Sequence, residues 1–293
     1  GDTMVFAWRP SPPEGCACEI VISRRSDVEG EIVHKAQISA NYYVLTDCLP
    51  EGVYFWRVNV IDEHGTRHEN SPLCQFTIDN TSEERFLTIG SDGMMIAAPL
   101  RGDAMPVTGV LDLSRDIAPS EDYSGAPHAA VQFNGSSSGI RYRIPIFPSE
   151  DYSFSAWICP EEVGTDRLQQ VFSAWCAGMD DPLRVSVVKE GICAGIESGA
   201  AYSTSRIPIE AGKWYHVAAV KSGTTLTLYL NGEPVSSVDV PQRLHTSAYL
   251  VGLGFNPRFP GGEFYRGKMA DARFWMRALT AAEIGSHLQG KCF

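Results

Sequence analysis

The sequence has few basic residues for its length and lacks a long apolar run. Lysine and arginine total 24, against 35 aspartate and glutamate residues, which gives a formal net charge of -11 at pH 7. Nucleic acids and anionic lipid surfaces attract proteins that carry basic patches, so this balance argues against both as partners. No apolar stretch approaches the ~18 residues that a membrane-spanning helix needs. We therefore expect no nucleic-acid partner and no membrane-spanning segment.

Motifs for common catalytic and metal sites are also missing. The eight cysteines form no Cys-x-x-Cys pair and no cysteine–histidine set with zinc-ligand spacing. A glycoside hydrolase needs two carboxylates close together, and the sequence contains no Glu-x-Asp-x-x-Glu string that would supply such a pair from one strand. Adjacent acidic pairs such as Asp180-Asp181 would point to opposite faces of a strand, and we interpret them as solvated loop charge. The sequence predicts no catalytic residue.

Cysteine and histidine side chains within strand-like runs are interpreted as structural. Cys159 ends an apolar run at 155–159, and a buried cysteine behaves as a small hydrophobic residue. One or two disulfides are the alternative, for which the sequence assigns no partners. His216 stands in the run Trp-Tyr-His-Val at 214–217, so a core or sheet-surface position is favoured over a role as a general base.

The first 80 residues contain short strand-like runs separated by turn residues. In the run at 52–60, Tyr54, Trp56, Val58 and Val60 fall on one face, which is the period-two pattern of a half-buried strand. The other runs lie at 6–8, 19–23, 41–45 and 74–78. Their spacing predicts a small β-sandwich of about 75 residues.

These runs also carry a set of recognisable motifs. They are Phe-x-Trp at 6–8, Gly-x-Tyr-x-Trp-Arg-Val at 52–58, Asp-x-x-Gly at 62–65 and Phe-Thr-Ile at 76–78. Together they resemble a fibronectin type III-like domain, in a variant attached to bacterial polysaccharide-degrading enzymes. The resemblance covers residues 3–80, and Trp8 and Trp56 are interpreted as core residues. The polar segment at 79–85 is predicted to be a linker.

The rest of the chain is longer and again rich in strand-like runs. In the run at 225–230 three leucines share one face, and Asn231-Gly232 after it is a strong hairpin-turn signal. Thr280-Ala-Ala-Glu283 has the pattern of a capping box at the start of a short helix. Many strands and one terminal helix predict a large antiparallel jelly-roll sandwich.

The motifs of this second part resemble a laminin G-like domain with the concanavalin A-like lectin/glucanase fold. They lie, in order, at 131–135, 154–158, 212–217, 228–232, 267–275 and 277–284. The predicted fold class is therefore all-β, with a small fibronectin III-like β-sandwich at 3–80. A larger concanavalin A-like jelly-roll sandwich with a short C-terminal helix follows at 85–293.

The laminin G-like resemblance implies a structural calcium at the sandwich edge. Its ligands would include Asn134, in the Phe-Asn-Gly turn, and Asp271, near the last strand. Calcium takes six to eight oxygen ligands, so carbonyl groups and water would complete the shell. Asn134 stands where related domains have an aspartate, which removes one charge. The alternative is that Asn134 is a plain turn residue and Asp271 a hydrogen-bonding group at a strand end.

The loop at 254–265 is the best candidate for a ligand-binding segment. It is rich in proline and glycine and carries Arg258, Phe259 and Tyr265, which we predict to bind a ligand. Tyr202 and Arg206 form a weaker second candidate. The alternative for the aromatic residues of the loop is that they tuck beneath it and anchor it.

We expect a noncatalytic carbohydrate-binding or accessory module of a secreted or surface-attached bacterial protein. Its partner would be a carbohydrate or a neighbouring domain of a larger protein, and its location secreted, periplasmic or at the cell surface. The sequence is polar from Gly1 onward, so we expect no signal peptide within these residues, and this says little about a native precursor. A protein-binding adhesion module and a divergent glycoside hydrolase or polysaccharide lyase are the alternatives, because this fold carries all of these activities.

Overall fold

The computed structural model describes residues 4–8, 12–13, 15–45, 49–78, 92–259 and 261–288. The chain divides into two compact units, residues 1–88 (unit 1) and 89–293 (unit 2). Every regular element of the described residues is a β-strand except one short helix near the C-terminus, so the predicted all-β class is confirmed. Within these residues no helix is long and apolar enough to cross a membrane. The predicted linker at 79–85 lies outside them.

Unit 1 consists of antiparallel strands in two sheets. The strands are β1 (Met4–Ala7), β2 (Ala17–Ser23), β3 (Ile32–Ile38), β4 (Tyr42–Leu45), β5 (Gly52–Ile61), β6 (Arg67–Asn70) and β7 (Cys74–Ile78). One sheet pairs β1 with β4, and the other has the order β3-β2-β5-β6, with β7 pairing the first half of β5. The face of β5 predicted to be apolar packs into the core with Phe6, Ile20 and Ile22.

The described residues of unit 2 form fifteen strands and the helix. The strands are β8 (Met94–Ala98), β9 (Val110–Arg115), β10 (Ala118–Ser120), β11 (Ala130–Asn134), β12 (Gly139–Arg143), β13 (Tyr152–Pro160), β14 (Gln169–Ser173), β15 (Asp180–Val188), β16 (Gly191–Ser198), β17 (Ala201–Ser203), β18 (Tyr215–Ser222), β19 (Thr225–Leu230), β20 (Glu233–Asp239), β21 (Leu250–Leu253) and β22 (Arg266–Trp275). The helix is α1 (Ala281–Leu288).

These strands form two antiparallel sheets that share a core. The eight-stranded sheet has the order β10-β11-β22-β13-β18-β19-β20, and β8 also pairs with β22. The seven-stranded sheet has the order β17-β16-β15-β14-β21-β12-β9. Buried rings join the two sheets, since Phe172 of β14 lies 4.4 Å from Phe154 of β13 and 5.5 Å from Phe274 of β22, between centroids. This is a jelly-roll-type sandwich of the predicted kind.

Two local signals of unit 2 are confirmed. Asn231 and Gly232 have φ angles of 52° and 88°, and they join β19 to β20 as a two-residue hairpin turn requires. At the start of α1, the Glu283 carboxylate accepts a hydrogen bond from the Thr280 backbone N–H at 2.8 Å. The Thr280 hydroxyl accepts one from the Glu283 N–H at 3.3 Å. These reciprocal bonds form the predicted capping box.

Candidate functional site

The loop at 254–265 joins β21 to β22 and is anchored by aromatic rings. The rings of Phe255 and Phe264 are parallel within 3°, with centroids 6.5 Å apart. The guanidinium of Arg115 lies 5.1 Å from the first centroid and 5.6 Å from the second. Phe255 is buried. The alternative interpretation, in which aromatic residues of the loop pack beneath it and anchor it, is therefore correct for these two residues.

Tyr265, which we predicted to bind a ligand, is a core residue. Its side chain has no solvent-accessible surface and packs edge to face on Phe133, with centroids 5.9 Å apart. Its hydroxyl donates to the Lys268 carbonyl at 3.3 Å, and burial raises the pKa of the phenol well above its usual value. Because the ring has no face left for a ligand, Tyr265 is not part of the candidate site.

Phe259 and Arg258 are exposed at the tip of the loop. Phe259 is 42% exposed, and its ring lies edge to face against Trp175, with centroids 5.6 Å apart. The Arg258 guanidinium lies 4.7 Å from the centroid of the Tyr249 ring. We refer to these four residues as the aromatic edge. Sequence reasoning missed Trp175, on the connection from β14 to β15, and Tyr249, which directly precedes β21.

A buried asparagine fixes the tip of this loop. Asn256 is 6% exposed, and its side-chain oxygen accepts hydrogen bonds from the backbone N–H groups of Arg258 at 3.4 Å and Phe259 at 3.3 Å. An asparagine that bonds the backbone two and three residues ahead forms a local turn. The aromatic edge is therefore held by a local turn as well as by ring contacts.

A row of polar and small residues crosses the outward face of the seven-stranded sheet, next to the aromatic edge. Each residue of the row is paired with the next on the neighbouring strand, in the order Gly252, Ser173, Arg184, Gly195 and Ser203. Arg184 lies across Gly195, because a Cβ added to that glycine would sit 3.3 Å from the Arg184 Nε. The small residues of the row leave room for this guanidinium to lie flat on the sheet.

Arg184 connects two carboxylates, one of which is fully buried. Its guanidinium lies 2.6 Å from a Glu197 oxygen and 3.8 Å from an Asp181 oxygen. Asp181 is the second residue of β15 and has no exposed surface, so our interpretation of it as solvated loop charge is wrong. Burial raises the pKa of this carboxyl well above its usual value. A glycosidase needs both carboxyl groups open to one cleft, and Asp181 is closed to solvent.

The second candidate pair does not join the aromatic edge. Tyr202 lies on the edge strand β17, three strand spacings from β14, which is about 14 Å. Arg206 is exposed and forms an ion pair with Glu190 at 3.3 Å. The structure therefore separates this pair from Trp175 and Phe259.

The two predicted calcium ligands do not meet. Asn134 pairs with Arg266 of β22, five residues before Asp271, which puts the two about 16 Å apart along the strand. The Asn134 side-chain oxygen accepts three backbone N–H bonds from residues 136–138, at 2.8, 2.9 and 3.1 Å. Arg273 donates to both oxygens of Asp271 at 2.8 Å. These residues do not fit a shared calcium site. Across the described part of the chain, no group of three or more His, Cys, Asp or Glu residues could hold a metal.

Of the residues interpreted as structural, His216 and Cys159 are buried, and Cys74, Cys176 and Cys193 are partly buried. His216 is 2% exposed and packs edge to face on Trp157 at 5.4 Å. Its Nδ1 has no hydrogen-bond partner among the described residues, and burial lowers its pKa to about 4. Cys74, Cys159, Cys176 and Cys193 are free thiols, so the disulfide alternative is wrong for these four.

Unit 2 is thus a two-sheet sandwich with an exposed aromatic edge, and its sequence matches a known family. The model of the concanavalin A-like lectin/glucanases superfamily, in its Laminin_G_3 form, matches residues 134–285, slightly more than half of the chain. The chain belongs to this superfamily. Among curated proteins, none matches the sequence.

Solved structures share the fold at low sequence identity. The binding domain of botulinum neurotoxin DC, in complex with SialylT, aligns with a TM-score of 0.55 and 10% identity over 68% of this chain and 51% of that one. The botulinum neurotoxin serotype G binding domain aligns with a TM-score of 0.52 and 14% identity over 66% of this chain and 50% of that one. This chain thus spans about half the length of these binding domains.

A shorter domain aligns over nearly its whole length. Domain 4 of AbnA, a GH43 extracellular arabinanase from Geobacillus stearothermophilus, was solved in complex with arabinotriose. It aligns with a TM-score of 0.52 and 23% identity over 66% of this chain and 97% of that domain. At these identities the similarity establishes the concanavalin A-like fold.

Proposed function

We propose that unit 2 is a noncatalytic carbohydrate-binding module and that the aromatic edge contacts the sugar. The observation that carries the proposal is the exposed ring of Phe259 beside the guanidinium of Arg258. An exposed ring offers an apolar face to the C–H surface of a sugar. A guanidinium supplies several N–H donors in a fixed plane, which suits sugar hydroxyl groups.

The neighbours in structure support the same class of ligand. The arabinanase domain was solved with arabinotriose, and a further similar structure is of botulinum neurotoxin type C, whose cell entry depends on interaction with two ganglioside molecules. A binding role is favoured over hydrolysis because Asp181 is inaccessible and Glu197 is paired with Arg184.

We further infer that unit 1 is a fibronectin III-like accessory domain. The Tyr54 hydroxyl, near the start of β5, donates to the Pro50 carbonyl at 2.6 Å. Such a tyrosine, bonded to the backbone a few residues upstream, recurs at one corner of immunoglobulin-like sandwiches. The proposal includes an extracellular or surface location, as expected for an accessory module of a polysaccharide-acting protein.

A protein-binding role for unit 2 is the second candidate. Met105 is 59% exposed and Val107 is 80% exposed, and both lie on the connection between β8 and β9. Exposed apolar residues that lie close together occur at protein interaction sites. This surface is different from the aromatic edge, so variants can separate the two roles.

A glycan array with the full chain tests the proposed function. We expect binding to one glycan class, lost in Phe259→Ala and Arg258→Ala and kept in Arg206→Ala, an exposed arginine away from the edge. Met105→Ser with Val107→Ser should leave glycan binding unchanged. An array without reproducible binding, or binding that persists in both edge variants, would reject the aromatic edge as a glycan site.

A further inference from the structure

A cavity of about 370 Å³ lies in unit 1, between the connection from β2 to β3 and the outward face of the larger sheet. Val21 and Arg57, neighbours on β2 and β5, line it, together with Asn59 two residues further along β5. Asp27, Val28 and Glu29 form the opposite wall. The volume is within the ~300–1,000 Å³ range of small-molecule sites.

The connection is held in place by its own hydrogen bonds and by packing. Asp27 accepts backbone N–H bonds from Glu29 at 3.1 Å and Gly30 at 3.4 Å. Val28 is buried, at 9% exposure, in a left-handed conformation with φ of 52°. A β-branched residue rarely adopts that conformation. The wall of the cavity is thus a shaped segment of the chain.

Two residues that line the cavity each carry a buried polar atom without a hydrogen-bond partner among the described residues. The Oδ1 of Asn59, a residue that is 6% exposed, and the Nε of Arg57 are both buried without a hydrogen bond among the described residues. A buried polar group left unpaired destabilises the folded protein, because its hydrogen bonds to water are lost without replacement. The Asn59 oxygen is a hydrogen-bond acceptor and the Arg57 Nε–H is a donor. Together they match a ligand group that both donates and accepts hydrogen bonds.

The nearby charges are largely engaged already. Arg67 lies 2.6 Å from Glu19, which Lys35 also contacts at 2.9 Å. His68 lies 2.6 Å from Asp62, and Asp27 lies 2.6 Å from Arg25. Arg57 and Glu29 add one charge of each sign to the lining. This balance favours a neutral ligand.

We propose that this cavity binds the acetamido group of an N-acetylated sugar. Its carbonyl accepts from Arg57 Nε–H, its N–H donates to Asn59 Oδ1, and its methyl group packs on Val21 and Val28. Residues two apart on a strand are about 6.6–6.8 Å apart, a span that one amide bridges through hydrogen bonds of ~2.9 Å at both ends. A sugar diol could also donate and accept, but it has no apolar group for the valine wall.

Saturation-transfer NMR on the full chain, with N-acetylglucosamine as the probe, tests this site. We expect the strongest saturation at the acetyl methyl protons and a much weaker signal from glucose, which lacks the acetamido group. Equal signals from the two sugars would overturn the assignment, as would no signal from N-acetylglucosamine. Binding of N-acetylalanine methylamide without binding of the sugar would reassign the cavity to peptide amides and reject the proposal.

Variants locate the binding site. Asn59→Leu and Arg57→Lys should each weaken binding about tenfold, the usual effect of one lost buried hydrogen bond. Gln37→Ala, on the exposed face of β3, and Phe259→Ala in unit 2 should leave binding unchanged. Thermal unfolding checks that each variant is folded. If Asn59→Leu does not fold, Arg57→Lys alone provides the test. Unchanged binding in a folded cavity variant, or loss in Phe259→Ala, would refute this site.

Discussion

The ring of Phe259 meets the ring of Trp175 edge to face, with centroids 5.6 Å apart and planes inclined by 64°. The two residues are 84 positions apart in the sequence: Trp175 follows β14, and Phe259 lies between β21 and β22. Their contact holds an exposed aromatic ring beside Arg258, and the function proposed for unit 2 depends on this arrangement.

Phe259→Ala should weaken glycan binding by tenfold or more with a small effect on folding. An aromatic residue at the centre of a binding surface commonly contributes ~2 kcal/mol or more. Loss of the ring pair with Trp175 should reduce the free energy of unfolding by about 0.5–1.5 kcal/mol. Calorimetric titration and urea unfolding measure the two effects. Trp175→Phe, which retains a ring, is the matched variant, and its affinity should lie between those of the parent and Phe259→Ala.

Gly254→Ala should destabilise unit 2 and disturb the aromatic edge. Gly254 has φ of 79°, and a Cβ there would lie 2.3 Å from the Phe133 ring. Overpacking of a core costs about 1–3 kcal/mol, and the left-handed conformation adds about 1–2 kcal/mol for a non-glycine residue. Gly262→Ala, in the same loop with open space around its Cβ, is the control. Equal unfolding free energies for the two variants would contradict this account.

Thr280→Ala should reduce the free energy of unfolding by about 1 kcal/mol, because it removes half of the capping box of α1. The Arg277 guanidinium, together with hydrogen bonds from Thr280, lowers the pKa of Glu283 to about 2. The stabilisation by ionised Glu283 is therefore complete above the unfolded-state pKa of ~4.3 and is lost as pH falls towards 2. Urea unfolding of Glu283→Gln and the parent should differ at pH 7 and converge in that acidic window. A difference independent of pH would argue against a charged cap.

His216 should make the protein less stable as pH falls below neutrality. Burial, reinforced by His287 and Arg273, lowers its pKa to about 4, whereas an unfolded histidine titrates near ~6.5. Between these values the unfolded state binds more protons, so stability falls as pH decreases from about 6.5 to about 4. His216→Phe should flatten this part of the stability profile, measured by denaturant unfolding across pH. His245→Phe, at an exposed histidine, should leave the profile unchanged.

Some features of this chain follow from local sequence. The capping box of Thr280 and Glu283, the Asn231-Gly232 turn and the apolar face of β5 depend on interactions within a few residues. Their patterns predicted them correctly. Strand β3 has no such signal, because it is an edge strand whose Ile32 and Val33 are 47% and 39% exposed. Its contacts with the core come from the partly buried Ala36 and Ile38, so its apolar pattern is weak and sequence reasoning missed it.

The candidate site depended on contacts between distant segments. Phe259 and Tyr265 stand in one loop with similar local sequence, yet the first is exposed and the second is buried against Phe133. Asp181 shows the same limit of local sequence patterns. Its acidic pair predicted an exposed loop residue, whereas packing within the sandwich buries it. Local sequence determined which residues form strands and turns, because those preferences arise from neighbouring residues. The tertiary structure decided which side chains meet, because sheet register and packing between sheets bring together residues that are far apart in the chain.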